Sequence, residues 1–108
     1  FEKRVEARDL PYYLELMAHL DARGIHCPKP VADRQGTVLQ TVKGRPAVIL
    51  TFLQGQGVRE ITGAHLPLLG ECVAKMHLAV QDFAPARANA LSFDGWRVLA
   101  EKIGTRAD

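Results

Sequence analysis

The pair Lys43-Gly44 lies between two stretches of β pattern, residues 37–42 and 45–53, and suits a tight hairpin, because a two-residue turn needs residues that accept positive φ. Within the second stretch Ala47-Val48-Ile49-Leu50 runs without alternation, as expected of a strand covered on both faces. Pro46 stands at its start, where no ladder donor is lost. Helical stripes flank this hairpin on both sides. Leu10, Tyr13, Leu14, Met17 and Leu20 recur at helical spacing behind Asp9, an N-cap residue, and Pro11, which the first turn tolerates. Gly24 ends that helix, and Cys27-Pro28-Lys29-Pro30 is then extended, since each proline pushes the residue before it out of the α region. After a polar break at Gln54-Gly55-Gln56-Gly57, Thr62 is the expected cap of a second helix with Pro67 in its first two turns. Its face of Leu66, Leu69, Val73, Met76 and Val80, widened by Leu68 and Cys72, implies heavy burial. Residues 82–89 form a loop, and Asp94 can cap a third helix carrying Trp96, Leu99 and Ile103 before Gly104. The fold class that follows is α/β in the α+β sense.

Composition narrows what such a chain can do. Its 108 residues are 47% hydrophobic and 24% charged, enough for one domain with a core and too few for two. Two cysteines form no disulfide framework and point to a reducing cytoplasm. Fourteen basic and twelve acidic residues are interspersed, so no basic stripe argues for nucleic acid. The longest apolar run, residues 47–53, is broken by Thr51 and falls well short of the roughly 20 residues a membrane span needs, so no membrane partner is expected. The chain opens at Phe1 without methionine, in the charged phrase Phe1-Glu2-Lys3-Arg4, and reads as a piece of a longer protein.

Candidate chemistry is sparse. His26-Cys27 and Cys72 with His77 offer two imidazoles and two thiols, a zinc ligand set by type. Adjacent residues of an extended segment point apart, however, and positions five apart on a helix diverge by more than a quarter turn, so no metal site is expected and the thiols read as buried packing groups. Gly55-Gln56-Gly57 begins like a dinucleotide loop, but Glu60 stands where the third glycine belongs. A glycine-bearing segment between a buried strand and a helix can instead join two lobes and present bare backbone to a flat heterocycle, or be a plain loop. His77, late in its helix, suits capping or packing, and Glu15 either pairs with a nucleotide-binding lysine or lies on a solvated face.

Taken in order, the phrases Phe1-Glu2-Lys3-Arg4-Val5-Glu6, Asp9-Leu10-Pro11, Gly24-Ile25-x-Cys27-Pro28-x-Pro30, Ala74-Lys75-Met76-His77 and Asn89-Ala90-Leu91-Ser92-x-Asp94-Gly95-Trp96 resemble the bacterial homoserine kinases of the aminoglycoside-phosphotransferase-like superfamily. The resemblance covers practically all 108 residues and rests on order and spacing more than on any one phrase. It implies part of a two-lobed, protein-kinase-like fold: residues 1–53 as the end of the N-lobe with its hairpin, 54–61 as hinge, and 62–108 as the first helices of the C-lobe. In that fold ATP lies in the cleft and its γ-phosphate passes to the hydroxyl of L-homoserine, a step in threonine synthesis, with Mg²⁺ neutralising phosphate charge. The Thr51 carbonyl and Leu53 amide would meet the adenine edge, Ile49 and Phe52 would face the core, and His77 would support the helix beneath the catalytic loop. The family's His-x-Asp-x-x-x-x-Asn loop and later Asp-Phe-like turn are absent, so neither a catalytic residue nor a metal ligand is expected here, and the chain alone should be inactive and prone to self-association. Two alternatives stand: a sister kinase for choline, a methylthio sugar or an aminoglycoside, and a non-catalytic α/β interaction module.

Overall fold

A computed structural model of the chain describes residues 5–104, and in it the hairpin forms where the turn chemistry places it. Strand β2 (Gln40–Val42) pairs antiparallel with β3 (Arg45–Ala47), Gln40 opposite Ala47 and Val42 opposite Arg45. Lys43 at φ 50° and Gly44 at φ 75° make the turn, the two positive angles of the type whose twist matches paired strands. The expected long strand over 45–53 does not continue unbroken. At Val48 it changes partner: β4 (Ile49–Leu50) pairs with β1 (Pro30–Val31), Pro30 opposite Leu50. The Thr51 amide extends this ladder by donating to the Lys29 carbonyl at 2.9 Å, and the Lys29 amide donates to Thr51 Oγ1 at 2.9 Å. The proline-rich extended segment is therefore a strand partner, not a plain connection.

Coverage of both faces is not realised. Ile49 is 70% exposed and Phe52 88%, so neither faces a core. The physical reason is the size of the ladders: two-stranded pairs have no second layer on their outer faces among the described residues.

Helix α1 (Leu10–Ala22) follows a 3₁₀ turn at Ala7–Asp9 and carries the buried residues Leu10, Leu14 and Leu20. Asp9 does not cap it. The preceding turn already holds Asp9 in helical geometry (φ −89°, ψ −12°), whereas a capping side chain needs an extended backbone to reach forward. Its carboxylate accepts instead from Arg87 Nε at 2.9 Å. Helix α2 (His65–Ala79) begins three residues after Thr62, so Thr62 is not its cap: His65 Nδ1 accepts from the Thr62 amide at 3.0 Å and lies 3.0 Å from the Thr62 hydroxyl, while the His65 amide donates to the Thr62 carbonyl at 3.0 Å. These bonds close a turn ahead of the helix, whose N-cap position is Ala64 and carries no side-chain cap. Helix α3 (Phe93–Ile103) starts after extended Ser92, so Asp94 sits inside its first turn rather than at the cap.

Heavy burial of α2 is also not found. Leu66, Leu69, Val73 and Met76 are 59, 56, 41 and 38% exposed, and Ala79 is the buried residue of the helix. The buried residues are Leu10, Leu14 and Leu20 of α1 and Ala79 at the end of α2, with Leu14 on the side of α1 that faces Pro30, Val38 and Leu39. No helix among the described residues is long and apolar enough to cross a membrane. The opening phrase Phe1-Glu2-Lys3-Arg4 lies outside the described residues.

Candidate functional site

Residues 51–58 leave β4 without regular secondary structure, and all but Leu53 are exposed. Thr51 is held in place by its two bonds to Lys29, so the segment starts from a fixed strand end. Leu53, two residues on, is half-buried, and among the described residues its amide donates to no protein acceptor. A strand end followed by an unpartnered amide is the kind of backbone edge that can read a flat heterocycle, whatever its side chains.

The other candidate groups do not converge on this segment. Glu15 is exposed and lines a groove of about 280 Å³ between α1 and the hairpin, with Pro11, Leu14 and Ala18 on one side and Pro30, Val38 and Leu39 on the other. His77 lies exposed in the last turn of α2. Cys72 is exposed, contrary to the expectation of a buried thiol, because it shares the uncovered face of α2. Cys27 is half-buried, its Sγ donating to the Met17 carbonyl at 3.5 Å, and burial pushes its thiol above the ordinary value. Among the described residues no three His, Cys, Asp or Glu side chains gather around one point that could hold a metal ion.

Two features were not read from the sequence. Asp33 organises the loop before the hairpin: Oδ1 accepts from the amides of Thr37 at 2.8 Å and Gln35 at 2.9 Å, and Oδ2 from Gln40 Nε2 at 2.7 Å. These bonds, the Thr37 amide foremost, hold its carboxyl below the ordinary value. The signal was present, since aspartate followed three residues later by glycine often closes a turn on its own backbone. The second feature is Gly95 in the Asp94-Gly95-Trp96 phrase. A Cβ there would run into the Ala90 carbonyl, so only glycine lets α3 begin that close to the preceding turn.

A sequence profile described as the phosphotransferase enzyme family matches residues 1–106. The chain belongs to this family. Among curated relatives, a homoserine kinase of Afipia carboxidovorans is 54% identical over all 108 residues, covering 33% of that protein. Homoserine kinases of Rhodopseudomonas palustris and Rhodospirillum rubrum are 53% and 51% identical over the same length, covering 33% and 34% of theirs. This phosphotransferase-family chain is thus homologous to bacterial homoserine kinases, and it spans about a third of the length of the curated relatives it matches. Its helices and short antiparallel ladders form the α+β arrangement expected of the family.

Proposed function

We propose that the chain is one third of an ATP-dependent homoserine kinase, comprising the end of an N-lobe over residues 1–53, a hinge over 54–61 and the first C-lobe helices over 62–108. The observation that carries this reading is identity above one half over the whole chain with relatives named homoserine kinase. At that identity the segment serves the same architecture, and a segment shared end to end with one activity argues for that acceptor ahead of choline, a methylthio sugar or an aminoglycoside.

In this reading the chain's own contribution is nucleotide seating. The Thr51 carbonyl and Leu53 amide take the adenine edge, supported by the rigid end of β4 and by an amide left free to donate. Phosphoryl transfer needs a carboxylate to take the homoserine hydroxyl proton as oxygen attacks the γ-phosphorus and ADP departs. The His-x-Asp-x-x-x-x-Asn and Asp-Phe-like phrases that hold magnesium in kinases of this resemblance do not occur in this sequence, so on this reading the metal is held by residues outside it. Those tasks belong to parts of the enzyme beyond this segment, and the protein works in the cytoplasm.

Assay of the full-length protein decides the acceptor. With Mg-ATP, L-homoserine should drive ADP release, and choline, a methylthio sugar and an aminoglycoside should not. Faster turnover with another acceptor replaces homoserine by that substrate, and no turnover with any of them favours a non-catalytic interaction module. The 108-residue chain alone should release no ADP in response to homoserine. Turnover proportional to its concentration and surviving repurification overturns the assignment of catalysis to the remaining segments.

A further inference from the structure

The loop after α2 does more than connect helices, because it runs back along α1 and touches it from end to end. At the start of α1, Arg87 Nε donates to Asp9 Oδ2 at 2.9 Å and its guanidinium lies 5.4 Å from the Tyr13 ring centre. In the middle, Tyr12 and Phe83 meet edge to face at 5.7 Å. Toward the end, His19 packs on Phe83 at 5.2 Å, its Nε2 bonds the Ala79 carbonyl at 2.8 Å, and Asp82 takes both His19, at 3.3 Å, and Arg23. The pairs joined are 59 to 78 positions apart in sequence, so none follows from chain connectivity.

The opposite side of α1 differs. There β1 packs against the helix, and beside that contact a groove of about 280 Å³, lined by Pro11, Leu14 and Ala18 and by Pro30, Val38 and Leu39, opens toward the start of β2. The polar ties on that side, Lys29 to Asp21 at 3.2 Å and Cys27 Sγ to the Met17 carbonyl, and the packing of β1, all come from the short stretch that directly follows α1, and none of them reaches the β2–β3 hairpin.

We infer that α1 forms one mechanical unit with the end of α2 and the strap of residues 79–87, and that the strands move against this unit across the groove. The division of the molecule then runs between α1 and the strands rather than between the first and second halves of the chain. On the kinase reading above, on which this consequence rests, closing the hinge carries the strands while α1 and Glu15 stay with the C-terminal helices.

Amide hydrogen exchange read by mass spectrometry on the full-length protein tests it, and it needs neither ATP nor homoserine, so a failed acceptor assay leaves the result interpretable. In the unsubstituted protein, residues 10–22 and 76–83 should open as one unit with a shared denaturant dependence, and residues 40–50 as another. Arg87→Ala and Asp82→Asn should each speed exchange in 10–22 and 76–83 by about two- to fivefold, the size of one surface ion pair, and leave 40–50 unchanged. The exchanged pair Asp9→Arg with Arg87→Asp should restore protection, and Lys29→Ala should leave α1 as it was. The inference is overturned if α1 opens together with 40–50, or if Lys29→Ala loosens α1 as much as Arg87→Ala does. The unsubstituted measurement decides even where a variant fails to fold.

Discussion

Asp82 holds the strap to α1 through a charge that acid removes. Its hydrogen bond from Arg23 pulls its carboxyl below the ordinary 3.8. A depressed folded pKa means the unfolded chain binds the proton more readily, so the contribution is fully present above about pH 5 and is lost as pH falls through the folded value. Urea unfolding of the full-length protein should therefore show Asp82→Asn destabilised by a constant amount near neutrality, with the difference vanishing below the folded value. A difference that persists in acid assigns the effect to something other than the charge. At Gly95 the issue is space. Gly95→Ala places a methyl group against the Ala90 backbone, which cannot swing away as a side chain would, and should lower the unfolding midpoint or shift the start of α3. Just after β4, Leu53→Pro in the full-length protein deletes the amide proposed for adenine. ATP should bind about 5- to 150-fold more weakly, the worth of a desolvated hydrogen bond of roughly 1 to 3 kcal/mol, while homoserine affinity changes little and Leu53→Ala is mild. Equal ATP affinity in a folded Leu53→Pro variant refutes that register. At this scale the sequence misassigned Asp9, because residue type and position suit a cap while a partner 78 residues away claims the carboxylate.

Elements were legible wherever a local rule governs them. Three helices follow from apolar spacing, and the β2–β3 turn follows from Lys43-Gly44. The turn also carries a correctable strain, since Lys43 sits at φ 50°, a region lysine enters at a cost. Lys43→Asn should raise hairpin stability by a few tenths to about 1 kcal/mol, and Gly44→Val should lower it by about 1 to 2 kcal/mol. Cross-strand contacts between Thr41 and Pro46, followed by NMR against denaturant, measure both, and no gain from Lys43→Asn means the turn is not where the hairpin is strained. Pairing of β1 with β4 was not legible. A two-residue strand has no period to detect, and its partner lies inside a run that pattern alone reads as one continuous strand. The break at Val48 comes from that change of partner, which is a relation between segments and not a property of either.

At the scale of the whole chain, 9517 Å² of surface is accessible, against about 5,900 Å² for a compact protein of this mass. The radius of gyration, 17.7 Å, likewise exceeds the value of about 13 Å for this length. Exposed apolar side chains on α2 and α3, including Leu66, Leu69, Trp96 and Leu99, contribute to the excess surface, and the short ladders leave open edges. The 108-residue chain alone should therefore self-associate, since burying about 1,600 Å² suffices for a stable contact. Sedimentation across the micromolar range checks this, and a cooperatively unfolding monomer would instead favour a free-standing module. The stripe on α2 was legible as apolar, but its burial was not, because hydrophobic spacing says that a face seeks a partner and not whether this chain supplies one. What the sequence by itself determined was local: helices from a 3.6-residue period, one turn from residues that accept positive φ, and family membership from ordered short phrases. Only the tertiary structure decided which side of α1 is strapped and which is open, where the long strand changes partner, and which thiol is covered, because each depends on groups that chain folding, not chain order, makes neighbours.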